Sequence, residues 1–246
     1  MERLSLPEGF LAVDIDRRDA SRWWLYLHGF GSNRAGSKAT AFRTAAASEG
    51  VSFVAYDARG HGESSGRLET ITLSKMLEDL SVAIDAFVPP SASLVLIGSS
   101  LGGVAAAWYA AANPKRVKAS VLLAPAFRFV DRFLEEIGPE AAADWKSSGA
   151  YAVGETWMWV PLRYGIVEDA SSYDETDLAK RYRTDTLVIH GKLDGNVPWQ
   201  VSTDFGERCT HRPLDVVLID DGDHRFEGRG AELTDIAGRF LGRVAR

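Results

Sequence analysis

Cysteine is nearly absent from this sequence: Cys209 stands alone among 246 residues. No intrachain disulfide, C-x-x-C redox pair or cysteine-rich zinc site can form, which suits a reducing compartment. Nor is there a cluster of basic residues, since 28 Lys and Arg are dispersed among 34 Asp and Glu for a net charge of −6. A protein that tracks nucleic-acid phosphates is therefore not expected. Long hydrophobic runs are missing too. The longest strongly apolar stretch, Leu101 to Ala112, has 12 residues, where a membrane span takes about 20. Residues Met1 to Glu8 lack the basic and apolar regions of an export signal, and no basic amphipathic segment suggests a stable membrane anchor. The expected setting is cytoplasmic. Internal repeats, low-complexity tracts and Pro-, Gly- or Ser-rich linkers are also lacking, so a second independent domain is not indicated.

What remains is an ordinary globular composition, 46% apolar and 25% charged. Short apolar runs alternate with helical patterns, as in β-α-β units around a mainly parallel sheet. The runs predict strands at Phe10 to Ile15, Trp23 to Leu27, Val51 to Tyr56, Ser93 to Ile97, Ala119 to Leu123, Thr186 to Ile189 and Leu214 to Ile219. The first two, joined by the polar Asp16-Arg17-Arg18-Asp19 turn, are expected to form an antiparallel pair. Helices are predicted at Lys38 to Ser48, Leu73 to Phe87, Leu101 to Ala112, Val201 to Glu207 and Ala231 to Val244. From Ala126 to Arg183 no convincing strand is seen, and Gly138-Pro139, Gly149, Gly154 and Pro161 interrupt helical fragments. That segment has the character of an insertion.

The run Ser93 to Ile97 leads into Gly98-Ser99-Ser100-Leu101-Gly102-Gly103 and then into an apolar helix. This is G-x-S-x-G in the strand, sharp turn, helix context that lifts a serine hydroxyl above a sheet. A serine needs an imidazole to take its proton. Of five histidines, His28 and His190 end strands in His-Gly pairs with a structural role expected, while His61 and His211 lie in loops where solvation or loop bonding is expected. His224, after the last strand and its polar turn, is the candidate base. The acid that orients it is expected at a strand's carboxyl end, where Asp194 follows Thr186 to Ile189; Asp220, Asp221 and Asp223 are nearer His224 in sequence but suit turn chemistry. The loop His28-Gly29-Phe30-Gly31-Ser32 supplies a candidate oxyanion site, with the backbone N–H groups of Phe30 and Leu101 as donors.

These stretches, together with Asp57-Ala58-Arg59-Gly60-His61-Gly62-Glu63-Ser64, which matches a D-x-R-G-x-G-x-S loop, resemble the serine-dependent α/β-hydrolase-fold enzymes over nearly the whole chain. The Gly98 to Gly103 elbow, the His28 loop and Thr72-Leu73-Ser74-Lys75 with Asp79 are similar to acyl-protein thioesterase and acyl-glucuronide esterase relatives. The resemblance implies an α/β fold with a mostly parallel central sheet, helices on both faces, and a small helical cap inserted after the sixth strand. Residues 1–246 would then form one domain with residues 126–183 as its cap. It also implies hydrolysis of carboxylic esters or thioesters with an apolar acyl or aryl group, through Ser100, His224 and Asp194, with no metal or organic cofactor required. The partner would be a small-molecule ester or thioester. Acyl transfer or perhydrolysis by the same triad is the alternative within enzymes, and a non-catalytic ligand-binding protein of this fold is the alternative outside them.

Aromatic residues concentrate in the insertion, which holds 10 of the 25 rings in 58 residues. Trp157, Met158 and Trp159 are expected to form an apolar wall over the nucleophile.

Overall fold

The computed structural model describes residues 1–155 and 158–245, and for Glu155 and Met158 the backbone only. An eight-stranded sheet is built from β1 (Glu2–Leu6), β2 (Gly9–Asp16), β3 (Asp19–Leu27), β4 (Val51–Tyr56), β5 (Ser93–Ser99), β6 (Val117–Leu123), β9 (Asp185–Gly191) and β10 (Leu214–Ile219). Its order is β1-β2-β4-β3-β5-β6-β9-β10. From β4 to β10 all pairs are parallel, and β1 and β2 add an antiparallel edge.

Neighbouring residues on a strand point to opposite faces, and both faces here are covered. Leu25, Leu27, Leu94, Leu96, Leu122 and Val188 enter one apolar layer. Tyr26, Phe53, Val95, Ile97, Val121 and Ile189 enter the other. The first layer is closed by α2 (Leu73–Phe87), α3 (Leu101–Ala112), α6 (Glu175–Arg181) and α7 (Gln200–Arg208), the second by α1 (Ser37–Ser48) and α8 (Gly230–Val244). In α2, Met76, Leu80, Ala83 and Ile84 recur at helical spacing on the buried side, and the Thr72 side chain caps the helix by accepting from Lys75 N at 3.2 Å. Helix α3 is apolar all round and buried from Leu101 to Ala111, because the sheet lies on one side of it and helices and the cap on the other.

Two expectations from the sequence are corrected. The strand β2 does not pair with β3; β4 lies between them. Trp23 to Leu27 is buried on both faces, so β3 takes an interior place with two parallel neighbours and the less buried β2 moves outward. The short β2–β3 connection crosses over β4, where the buried Ser52 hydroxyl accepts from Arg18 N at 2.9 Å and donates to Asp19 O at 2.7 Å. The edge strand β1 was not expected at all.

The excursion between β6 and β9 is not wholly helical either. It contains α4 (Phe129–Ser148), the antiparallel pair β7 (Ala150–Glu155) and β8 (Met158–Arg163), then α5 (Gly165–Ala170) and α6. Pro161 sits opposite Ala152 in this two-stranded ribbon, where a strand has an open edge and a missing N–H is tolerated. As its sequence suggests, Gly138-Pro139 interrupts α4: Gly138, with φ 78° and ψ 169°, is non-helical and divides it into two helical pieces across a kink.

Candidate active site

Ser100 stands between β5 and α3 with φ 54° and ψ −120°, a backbone conformation that costs a non-glycine residue free energy. The surroundings enforce it. Ser100 N donates to Leu123 O at 2.9 Å, while the Ser100 carbonyl accepts from Gly103, Val104 and Ala126. A Cβ on Gly98 would lie 2.4 Å from Gly102 O, so β5 and α3 meet this closely only because Gly98 lacks a side chain, while a Cβ on Gly102 would lie 2.4 Å from His28 O at the end of β3.

The sequence separates Ser100, Asp194 and His224 widely, and the structure brings them together at the carboxyl ends of the parallel strands. The Ser100 hydroxyl donates to His224 Nε2 at 3.1 Å, and His224 Nδ1–H donates to Asp194 Oδ2 at 2.7 Å. The His224 side chain is 18% exposed, whereas Asp194 is fully buried. Burial favours the neutral form of Asp194, but hydrogen bonds from His190 and His224, the His224 charge and the Val197 N–H outweigh it and hold the carboxyl well below the usual carboxylate range. Asp194 Oδ1 accepts from Asn196 N at 2.8 Å and Val197 N at 2.7 Å. Of the rival acids, Asp223 instead accepts from Phe226 N at 2.6 Å within its own turn, and Asp220 and Asp221 pair with Lys192 and Arg229.

His190 is a member of this cluster that sequence reasoning placed in a structural role without finding its partners. Its Nε2 faces two acceptors, Asp194 Oδ2 at 3.1 Å and Val197 O at 3.0 Å, so that nitrogen carries a proton. Its Nδ1 meets the Ser202 hydroxyl at 2.7 Å. The buried imidazole thus fixes both the carboxylate and the loop that bears it.

The loop after β3 passes close above Ser100: a Cβ on Gly29 would come within 2.8 Å of Ser100 Cβ. Phe30 follows directly, and Leu101, as the first residue of α3, has an N–H with no acceptor inside its helix. Buried His28 pins the loop, donating from Nδ1 to Gly29 O at 2.8 Å and accepting at Nε2 from Ala58 N at 3.0 Å. Burial pushes its pKa down. His61, for which solvation or loop bonding was expected, bonds within its loop, Nδ1 to Arg59 O at 3.4 Å, and is buried beside His28 and edge-on to Phe30; burial with the neighbouring His28 pushes it down to about 4. His211 bonds to Asp185 at 2.8 Å, away from the site.

Asp57 anchors the far end of the same loop. Its buried carboxylate accepts from Arg34 N at 2.7 Å and Glu63 N at 2.9 Å and pairs with the Arg34 guanidinium. Arg59 in turn pairs with buried Asp79, Nε to Oδ1 at 2.7 Å. The D-x-R-G-x-G-x-S stretch is therefore a brace that ties the loop from His28 to Arg34 to β4 and α2.

Over α3 lies a cavity of about 330 Å³ between core and cap. Its apolar walls are Leu73, Leu101, Val104, Trp108, Phe129, Ile166 and Tyr173, and Arg128, Asp131, Asp174 and Glu175 lie at its polar side. The cavity begins one residue from Ser100, at Leu101, and also touches Ala126, whose N–H binds the Ser100 carbonyl. Of the expected wall of Trp157, Met158 and Trp159, the correction concerns Trp159 alone. Trp157 and the Met158 side chain lie outside the described residues, and Trp159 is 66% exposed and borders no part of the cavity. On β8 the residues alternate, so Val160 and Leu162 turn inward and Trp159 turns to solvent. Among the described residues no group of three or more His, Cys, Asp and Glu side chains could hold a metal ion. Cys209 is buried, and burial pushes its thiol up to about 11.

Fold and site together define a serine hydrolase of the α/β-hydrolase fold. More narrowly, residues 21–213 match the family described as serine aminopeptidase, S33, and the chain belongs to it. It is 27% identical over 207 residues to the mitochondrial palmitoyl-protein thioesterase ABHD10 of Bos taurus, a match covering 82% of this chain and 67% of the relative. It is also 32% identical over 151 residues to the monoacylglycerol lipase of Mycolicibacterium smegmatis, covering 60% and 50% respectively. Among solved structures, mouse alpha/beta hydrolase domain-containing protein 10 superposes with TM-score 0.87 at 24% identity over 98% of both chains. Est1E of Butyrivibrio proteoclasticus with ferulic acid bound gives TM-score 0.82 at 21% identity over 100% and 99%. No helix among the described residues is long and apolar enough to cross a membrane.

Proposed function

We propose that the protein hydrolyses carboxylic esters or thioesters of apolar acyl or aryl groups through an acyl-enzyme on Ser100. The observation that carries this reading is the continuous hydrogen-bonded chain from Ser100 Oγ through His224 to buried Asp194. Ser100 Oγ attacks the carbonyl carbon as its proton passes to His224 Nε2. The carbonyl oxygen becomes an oxyanion facing the Phe30 and Leu101 N–H groups at the positive end of α3. Collapse expels the alkoxide or thiolate, which takes the proton from His224. Water then attacks the acyl-enzyme with His224 again as base, returning the free acid and Ser100. Asp194 keeps Nδ1 protonated and stabilises the imidazolium while it exists.

The cavity beside Leu101 supports an apolar acyl group, and the thioesterase and lipase names of the relatives agree with ester or thioester cleavage. The test is turnover of p-nitrophenyl esters and acyl thioesters of graded chain length, with aminoacyl anilides as the counter-panel that the family's peptidase description calls for. Ser100→Ala should keep the fold and lose on the order of 10³ or more in kcat/KM. Near-normal ester cleavage by that variant, or anilides preferred over esters, overturns the reading. Added alcohols or peroxide, with product analysis, separate hydrolysis from acyl transfer and perhydrolysis. Labelling by a fluorophosphonate, absent in Ser100→Ala, separates an enzyme from a binding protein.

A further inference from the structure

We infer that Lys38 is a positioning residue for the base: its ammonium, carried on α1, clamps the turn that holds His224 against the helix that begins where the oxyanion-side loop ends. The inference rests on the reading of Ser100 and His224 given above. Lys38 Nζ donates to Arg225 O, the carbonyl next after His224, at 2.8 Å. This bond joins segments 187 residues apart in sequence, and α1 is reached from Gly29 and Phe30 with no other element between.

The turn it holds is one that needs holding. Phe226 has φ 53°, an unfavourable conformation for a bulky residue, and is kept in it by the Asp223 carboxylate on its N–H and by burial of its ring in the core. Lys38 Nζ lies 5.9 Å from the centre of that ring. The ammonium therefore ties α1 to the turn backbone one residue beyond His224. Without it, Arg225 O loses that charged donor, and the turn that sets the His224 backbone is no longer tied to α1, so the imidazole shifts along the line between Ser100 and Asp194. Small displacements of a general base cost rate steeply, since proton transfer requires hydrogen-bond reach.

The charged groups facing the ammonium are Asp223, Arg225 and Glu227 on the turn and Asp194 after β9. Burial lowers Lys38 to about 8 against the pull of Asp223, so the charge on the clamp is lost as pH rises through that value. The bond to Arg225 O then weakens and activity declines on the alkaline side.

The experiment compares wild type, Lys38→Met and Lys38→Arg by p-nitrophenyl ester kinetics and by the rate of fluorophosphonate labelling, with melting followed in parallel. Lys38→Met keeps the stem and loses the donor. Its kcat and labelling rate should fall on the order of ten-fold with KM within about two-fold of wild type. Lys38→Arg retains charge and donors, so it should recover most of the rate and carry the alkaline decline to higher pH. Lys38→Met labelling at the wild-type rate with an unchanged pH profile overturns the inference alone. A wild-type protein that is not labelled at Ser100 overturns the hydrolase reading instead.

Discussion

At the scale of single residues, Asp194 carries more of the site than its motif suggests. It accepts four hydrogen bonds, two from imidazoles and two from backbone N–H groups. The sequence made Ser100, His224 and Asp194 legible because each follows a recognisable strand, and position after a strand is what the chemistry requires. His190 was only half legible. Its His-Gly context announces a turn, but nothing local announces that the side chain reaches Asp194, since the partners Ser202 and Val197 depend on how α7 and the acid loop pack. Asp194→Asn should lower kcat by a factor on the order of 10³ to 10⁴, because Nδ1 of the base then loses its carboxylate. The same change should alter acid stability in a defined direction. The folded carboxyl lies below its unfolded value of about 4, so its contribution is full above that pH and is lost as pH falls through the folded value. Urea midpoints measured from about pH 7 to about pH 2 should therefore separate wild type from Asp194→Asn most at neutral pH and draw together progressively below about pH 4. A constant offset across that range contradicts the assigned partners.

At the scale of elements, the loop Asp57 to Ser64 and the loop His28 to Arg34 form one unit whose centre is a fully buried carboxylate paired with a nearly buried guanidinium. Removing the Asp57 carboxylate takes the acceptor from the Arg34 and Glu63 N–H groups and leaves the Arg34 guanidinium with Asp14 and Glu63 alone. Asp57→Ala should destabilise the protein by about 3–5 kcal/mol, and Gly29 and Phe30, pinned from the same brace through His28 and Ala58, should lose hydrogen-exchange protection first. Exchange unchanged in residues 28–34 speaks against the brace. The D-x-R-G-x-G-x-S residues are thus read from sequence as a pattern and from structure as a mechanism. Elsewhere element reading failed for physical reasons. The β2–β3 connection has the polarity of a hairpin turn, and only burial of β3 on both faces moves β2 past β4. In the cap, Gly154 and Pro161 are strand breakers in a sheet interior, but a two-stranded ribbon leaves edges open where neither is excluded. Trp145 makes that ribbon part of the cap: its Nε1–H donates to Leu162 O at 2.8 Å and its ring packs against Phe133, Tyr151 and Tyr164. Trp145→Ala should cost about 3–5 kcal/mol, and limited proteolysis should cut first within residues 129–173, with the sheet cut later or not at all.

At the scale of the molecule, the sheet explains why the three site residues can meet and the cap explains why they need not depend on it. All three lie on the eight-stranded sheet's flanks, after β5, β9 and β10, and those strands pair directly with β6 or with each other. The excursion that interrupts this order leaves and returns at nearly one point, because Arg128 N, at its start, donates to the Glu175 carboxylate at the head of α6. Burial raises that carboxyl to about 7 against the Arg128 N–H. The crossover from β6 to β9 then needs only α6, which packs on the core through Leu178, Ala179 and Tyr182. A variant in which a short Gly-Ser link replaces residues 129–173 should therefore fold around an intact sheet. It exposes Leu73, Val104 and Trp108, so lower solubility and a lower melting temperature are expected. Ser100 should still be labelled by a fluorophosphonate, since no residue of the hydrogen-bonded chain is removed. Discrimination among acyl lengths should flatten, because Phe129, Ile166 and Tyr173 leave the cavity. Loss of labelling in a variant whose circular dichroism retains the sheet would show instead that the cap shapes the nucleophile itself, through Ala126 and the Ser100 carbonyl.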